Sequence, residues 1–277
     1  FYPILGEVSR RLLGWIPFSI GDLIYFLVGF LLLKWCVTIF RKPKTWKIIA
    51  LEIASSLSVF YFLFHILWAF NYYREPLFEK MQIEKEYSDA DLLLFTKEMV
   101  RLTNATQISI THDRNAKVIT NLTQEEIIQI STDGYQTVAM RHSFFAYKNP
   151  SIKKSLISLP LSYMGFSGYL NPFTNEAQVN DRGPMINLPM TVCHEMAHQI
   201  GYASESEANF IGFLTATQNV NLHFKYAGYS TALRYCLRNL EVRNPALGQQ
   251  LLTEINPGVL QNFKDSALHW QQYETFI

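Results

Sequence analysis

Charged residues are scarce in this sequence. They make up 17% of the 277 residues, against 49% that are hydrophobic, and the formal net charge is only +1. A chain with so little net positive charge has no global electrostatic attraction for nucleic acid. We therefore expect no nucleic-acid partner. The excess of apolar residues lies in the first 70 positions.

Cysteine is also rare, and its spacing excludes a cysteine framework. Cys36, Cys193 and Cys236 form no Cys-x-x-Cys pair, so neither a disulfide scaffold nor a cysteine zinc cluster is expected. We expect three small buried side chains instead. A signal-peptide pattern is missing too, and a start at Phe1 rather than Met leaves room for an upstream segment.

Two long apolar runs lie near the start of the chain, at residues 20–40 and 48–70. Each has about the 20 residues that a helix needs to cross the hydrocarbon core of a membrane. The connector at 41–47 carries four positive and no negative charges, so the positive-inside rule places it in the cytoplasm. The alternative is a soluble protein in which both runs are buried core helices.

This pattern predicts a membrane anchor over residues 1–74 and an extracytoplasmic domain over residues 75–277. The residues before the first run either lie along the membrane surface or follow an upstream span.

Beyond residue 75 the pattern is mainly helical. Ser88 and Thr123 each precede an acidic residue by three positions, which is typical of a helix start, and Gly201 is typical of a helix end. We predict helices over residues 88–103, 123–142, 188–201, 204–221, 224–242 and 257–273, and strands over 155–163 and 176–180. The expected fold class is mainly α with a small β-sheet.

The predicted helix at 188–201 carries His194-Glu195-Met196-Ala197-His198. Residues four apart share a helix face, so both histidines can point ring nitrogens at one ion. Glu195 lies about 100° around the helix, where it faces a water on the metal rather than the metal itself. The motif predicts a catalytic zinc site with Glu195 as general base. The alternative is a helix that carries two histidines by chance.

A catalytic zinc ion usually takes a third protein ligand. Glu205 and Glu207 are both available on the predicted helix that starts at Ser204. They lie about 200° apart around that helix, so they cannot serve equally.

These residues resemble the gluzincin metallopeptidases, in which a Glu on the helix after His-Glu-x-x-His is the third ligand. Asp or Asn commonly follows four residues later and hydrogen-bonds a ligand histidine. The resemblance implies a zincin-like α+β domain, with Glu205 rather than Glu207 as the ligand and Asn209 as the partner that fixes a histidine tautomer. Only six residues separate His198 from Glu205, a departure that demands a tight turn.

Two further parts of the site stay open. In gluzincins a short edge strand before the metal helix aligns the substrate as an added strand, and residues 176–180 are either that strand or a surface loop. The developing oxyanion also needs a donor besides zinc. Five side chains could chemically donate this hydrogen bond, and the sequence does not choose among them: Tyr163, Tyr169, His223, Tyr226 and Tyr229.

Nearly the whole chain is similar to a family of uncharacterised membrane proteins from Bacteroidota. The shared features are the two runs with a basic connector, the segment 171–180, the His-Glu-x-x-His helix and Glu-x-Glu-Ala-Asn. The resemblance implies an anchor in the bacterial inner membrane and a periplasmic domain, and it implies no particular substrate.

The function expected from these features is a membrane-anchored zinc metallopeptidase that cleaves peptide or protein substrates. One alternative is a membrane-embedded peptidase, which the short, polar-flanked metal helix disfavours. The other is a non-catalytic metal-binding sensor or scaffold.

Overall fold

The computed structural model describes residues 2–274, which form a mainly helical structure with one small sheet. The expected fold class is thereby confirmed. The helices are α1 (Tyr2–Leu13), α2 (Ile20–Arg41), α3 (Trp46–Leu67), α4 (Leu77–Lys80), α5 (Asp89–Thr111), α6 (Gln124–Ala139), α7 (Ser158–Tyr163), α8 (Leu188–Gln199), α9 (Glu205–Gln218), α10 (Leu222–Arg243), α11 (Pro245–Leu252) and α12 (Pro257–Gln271). The strands are β1 (Ile152–Lys154), β2 (Gly168–Leu170) and β3 (Ala177–Val179).

Within residues 2–274, α2 and α3 are the helices long and apolar enough to cross a membrane. Each has 22 residues, and none of the residues in its most apolar stretch is buried inside the protein. A core helix of a soluble protein would be buried, so the two are candidate spans rather than core helices. For the same reason the expectation that all three cysteines are buried is wrong for Cys36, which is exposed on α2.

Most of the predicted helices are confirmed. Ser88 and Thr123 both form capping boxes, each with the acidic residue three positions on. The structure extends the first of these helices to Thr111. It also adds the helix α11, in whose sequence no long helical repeat of apolar residues marks a helix.

The predicted strand at 155–163 is wrong. The strand β1 ends at Lys154, and Ser158–Tyr163 forms the short helix α7. Pro160 lies in the first turn of α7, where a missing N–H costs nothing, whereas in a strand it would remove a ladder hydrogen bond. The hydroxyl of Ser162 donates to the Ser158 carbonyl one turn back.

The strand expected at 176–180 exists as β3, but it is not an edge strand. The sheet order is β1-β3-β2, with β1 parallel and β2 antiparallel to β3. A central strand uses its backbone groups on both sides, so the expected role of 176–180 in aligning substrate is wrong.

Residues 75–274 are called the outer domain from here on, for their place beyond one end of α2 and α3. Helix α8 runs through its centre, between α9, α6, α10 and β3. All of its residues except Thr191 and His194 are buried. Its packing surface includes the apolar residues Val192, Cys193, Met196 and Ala197. The helix with the His-Glu-x-x-His spacing is therefore a core element of the domain and not a lipid-facing one.

Two buried carboxylates fix the outer domain to the start of α2. Asp22 accepts hydrogen bonds from the Ser155 hydroxyl (3.0 Å), the Leu156 N–H (2.7 Å) and the Tyr169 hydroxyl. Glu176 accepts from the N–H groups of the first turn of α2, at 2.6 Å for Gly21. A carboxylate at a helix N-terminus is favoured by the helix dipole.

Helix α6 crosses α9 closely at Gly134, the residue that interrupts its otherwise regular helical pattern. A Cβ atom at this position would lie 2.0 Å from the Thr215 carbonyl oxygen. The next residue, Tyr135, is fully buried and donates a hydrogen bond of 2.6 Å to the Cys193 carbonyl of α8. The contact of α6 with α8 and α9 therefore requires glycine here.

We predict that Gly134→Ala lowers the free energy of unfolding by about 1–3 kcal/mol, the usual cost of forcing extra volume into a packed core. The matched control is Gly248→Ala on α11, where an added Cβ meets its nearest atom at 3.5 Å and should be neutral or slightly stabilising. Thermal or denaturant unfolding of the detergent-purified chain measures both. Equal stability of the two variants would contradict the close crossing.

Candidate metal centre

A tight turn after α8 brings Glu205, the candidate third ligand, to the histidine pair. Gly201 has φ +92°, in the left-handed region, and its N–H donates to the His198 carbonyl at 2.9 Å. The Tyr202 N–H donates to the Ala197 carbonyl at 3.2 Å. The chain reverses within this turn, so that α9 begins at Glu205 and runs back along α8.

The side chains of His194, His198 and Glu205 converge on one point. The two histidine Nε2 atoms are 3.1 Å apart, and the Glu205 carboxylate oxygens lie 3.2 Å from His194 Nε2 and 3.4 Å from His198 Nε2. Ligands of a tetrahedral zinc ion, with bonds of about 2.0–2.1 Å, stand about 3.3 Å from one another. The three donors therefore fit three corners of such a site.

Both histidines are held so that Nε2 faces this point. His194 Nδ1 lies 3.1 Å from Asn209 Oδ1, and His198 Nδ1 lies 2.7 Å from the Tyr202 carbonyl oxygen. Both partners are acceptors, so each Nδ1 carries the proton and each Nε2 lone pair is free for a cation. Asn209 thus lies beside His194, a candidate ligand, and His198 uses the Tyr202 backbone oxygen, which sequence reasoning missed.

Glu195 lies beside the triangle and not in it. Its side chain is 4% exposed, and Oε2 has no hydrogen-bond partner in the described part of the chain. Burial raises the pKa of this carboxyl above its ordinary value, although the two histidines act in the opposite direction. A buried carboxylate with an unused acceptor is suited to take a proton from a neighbouring group.

The charges of the triangle match a cation. The pKa of Glu205 is held well below its usual range, because a His194 or His198 ring that takes a second proton at Nε2 hydrogen-bonds this carboxylate. Burial alone would lower the pKa of His198, but Glu205, Glu195 and the Tyr202 carbonyl outweigh it and raise that pKa. The carboxylates thus already favour positive charge at the point that a metal ion would occupy.

Glu207 is directed elsewhere. Its Oε1 accepts a hydrogen bond of 2.6 Å from the backbone N–H of Leu77, at the start of α4. Of the two acidic residues open as third ligand, Glu205 is therefore the one that lies at the histidine pair.

The triangle opens into a cleft of about 670 Å³, a size typical of ligand sites. Besides the triangle, its lining includes Phe64, Trp68 and Tyr72, the segment 165–170, and Thr231, Arg234, Tyr235 and Trp270.

Among the described residues, the lining of the cleft narrows the candidate oxyanion donors considered from the sequence. Of the five side chains considered from the sequence, only Tyr169 lines it, and its hydroxyl is bonded to Asp22. Tyr226 instead donates to Asn262 in the core. The cleft adds Arg234 and Tyr235 on α10, which carry no motif and become visible only through the packing of α10 beside α8.

A family model described as "Protein of unknown function (DUF3810)" matches residues 1–277. No curated protein and no solved structure matches the chain.

We predict that Glu205→Ala and Glu207→Ala separate the roles of the two acidic residues. Glu205→Ala should weaken zinc binding by at least about 100-fold, since even loss of a residue that only orients a ligand costs about 10–100-fold. Glu207→Ala should leave zinc affinity unchanged and lower the free energy of unfolding by about 1 kcal/mol through the lost Leu77 hydrogen bond. Competition with a zinc chelator and thermal unfolding measure the two effects. Weaker zinc binding in Glu207→Ala but not in Glu205→Ala would make Glu207 the third ligand instead.

Proposed function

We propose that this chain, which belongs to the DUF3810 family, is a membrane-anchored zinc metallopeptidase with its catalytic domain outside the cytoplasm. The observation that carries the proposal is the triangle of His194, His198 and Glu205 with the unpartnered Glu195 carboxylate at its side. This donor set, two histidines and a carboxylate with one position left open, is typical of catalytic rather than structural zinc.

Different residues of the site have different roles in hydrolysis. A zinc ion held by the triangle would lower the pKa of a water molecule and polarise the scissile carbonyl group. Glu195 takes the proton of the attacking water and later delivers it to the leaving nitrogen, so that one peptide bond and one water become a carboxylic acid and an amine. Asn209 and the Tyr202 carbonyl keep the histidine rings in place during these steps.

The edge strand beside the cleft is β2, and it offers a backbone edge to an extended peptide. Asn171 N–H donates to the Glu176 carbonyl and Asn180 N–H to the Ser167 carbonyl, both at 2.9 Å. Because bonded and non-bonded pairs alternate in an antiparallel ladder, the backbone groups of Gly168 and Leu170 point away from β3. Within residues 2–274 no strand pairs with that side, so a substrate strand can add there.

The location rests on α2, α3 and the basic connector between them. Arg41, Lys42, Lys44 and Lys47 all lie at the end of the helix pair opposite the outer domain. Under the positive-inside rule that end is cytoplasmic. In a bacterial inner membrane the outer domain would then be periplasmic.

We predict that Glu195→Gln lowers kcat for peptide hydrolysis by about 10²–10⁴-fold, the usual contribution of a general base, while zinc content stays at one ion per chain. Metal analysis and cleavage of a peptide library, read by mass spectrometry, measure both. The control Glu125→Gln removes an exposed carboxylate that pairs with Lys154 and should leave both quantities unchanged.

An unchanged kcat for peptide hydrolysis in Glu195→Gln would contradict the proposed mechanism. A wild-type chain that binds zinc and cleaves no peptide would instead favour the non-catalytic metal-binding alternative.

We predict that Leu170→Pro raises KM for an extended peptide by up to about tenfold, the equivalent of one lost backbone hydrogen bond. Proline is tolerated in an edge strand whose N–H points outward, so the ladder to β3 survives. Leu170→Ala keeps the N–H and should have a smaller effect. Steady-state kinetics of the two variants are the measurement, and equal KM values would argue against strand addition at β2.

A further inference from the structure

The metal cleft shares a wall with a candidate membrane span. Phe64 is in the last turn of α3, and Trp68 follows the end of that helix; both line the cleft. The Trp68 ring centroid is 5.7 Å from that of His198, and the two rings meet edge to face. The Trp68 ring therefore lies between the candidate metal ligand His198 and the outer end of α3.

The outer domain also reaches below that end. Phe173, in the turn between β2 and β3, packs against Phe60 with ring centroids 5.8 Å apart. At about 1.5 Å per residue, Phe60 lies about 10 Å inside the end of α3 at Leu67. On α2, the Tyr25 ring stacks on Tyr169 of β2, about 8 Å inside that helix. No gap therefore separates the domain from the level of the bilayer surface.

Helix α1 lies across the same level. At its start, Tyr2 packs against Trp68 with ring centroids 6.0 Å apart. At its end, the Lys153 ammonium group donates to the carbonyls of Leu13 and Gly14, and six residues lead on to α2. Because both ends of α1 are fixed near the outer ends of the spans, its axis runs along the bilayer surface.

The two faces of α1 differ sharply. Tyr2, Gly6 and Arg10 are buried against the outer domain. The opposite face exposes Ile4, Val8 and Leu12, four residues apart, followed by Trp15, which is 79% exposed. An apolar stripe backed by a docked face is typical of a helix that lies in a membrane interface. Exposed apolar side chains continue along the chain from Trp15 through Phe18 to Leu23 of α2, a candidate span, so a lipid leaflet is the occupant of the stripe.

We propose that the cleft takes its substrate at the bilayer surface, and that the cleaved segment is the stretch of a membrane-anchored protein that borders its own transmembrane helix. The inference rests on the proposed peptidase function. With one wall made by α3 and the domain fixed at both spans, the cleft cannot rise away from the membrane. A chain that leaves the bilayer beside α3 arrives at the level of β2 and the histidine pair.

The first test uses the full chain in proteoliposomes with reporters that carry the same randomised segment of about ten residues. In one reporter the segment directly follows a single transmembrane helix. In the second, a rigid helical spacer of about 20 residues moves it about 30 Å outward. Anchoring concentrates both reporters on the membrane, so their comparison isolates distance from the bilayer.

Mass spectrometry of the products gives the initial rates. We expect the adjacent segment to be cleaved about tenfold faster than the displaced one, because the displaced segment can enter the cleft only when the substrate bends back. Equal rates, or faster cleavage of the displaced or of a soluble segment, overturn the proposal while leaving the peptidase function in place.

The second test needs no hydrolysis. Nitroxide labels are placed at Ile4→Cys and Leu12→Cys, with Met140→Cys, an 85% exposed apolar residue on the outer domain, as the matched control. The background is Cys36→Ala, since Cys193 and Cys236 are buried. We expect high oxygen and low nickel-chelate collision rates at Ile4 and Leu12, and the reverse at Met140.

Aqueous readings at Ile4 and Leu12 would overturn the placement of the cleft at the bilayer, whatever the reporters show. Leaflet readings with no cleavage of any reporter would overturn the peptidase function and, with it, the substrate class.

Discussion

The placement of α8 depends on the hydrogen bonds of the buried Arg10 guanidinium group. This group donates to the Gln199 carbonyl at 2.8 Å, to Asn175 Oδ1 at 2.7 Å and to the Lys148 carbonyl at 3.1 Å. A cation at a helix C-terminus is favoured by the helix dipole, and Gln199 is the last residue of α8. The same group lies 5.2 Å from the Tyr147 ring centroid. One side chain of α1 thus links α8 to two loops of the outer domain.

The residues around Arg10 complete a network that leaves little freedom at the end of α8. Gln199 donates to the Ser151 and Asn175 carbonyls and accepts from the Tyr147 hydroxyl. Asn175 also donates to the Tyr2 hydroxyl. A buried polar network with its groups satisfied makes a structure rigid, while a broken one is costly. Because His198 lies one residue before Gln199, the network that docks α1 also fixes the ring on which the proposed chemistry depends.

Sequence reasoning found what depends on short-range periodicity and missed what depends on distant contacts. The pairing of His194 with His198 follows from the helical repeat alone, and the choice of Glu205 is what the resemblance to gluzincins implies, with Asn209 four residues later. The sheet order, by contrast, is set by pairings between segments about 25 residues apart, so nothing local marked β2 as the edge strand. The docking of Arg10 on Gln199 spans 189 positions, and one of two adjacent arginines before an apolar run carries no sign of it.

The buried carboxylates show why burial by itself does not mark a reactive group. Among residues 2–274 these are Asp22, Glu176 and Glu195. Asp22 and Glu176 use both of their oxygens to accept hydrogen bonds, so their capacity is consumed in holding α2. Glu195 keeps Oε2 unpaired, a state that costs free energy unless another group comes to it. Nothing in the sequence around these three acids separates them. The hydrogen-bond partners of each oxygen distinguish the two that anchor the domain from the one left free beside the histidine pair.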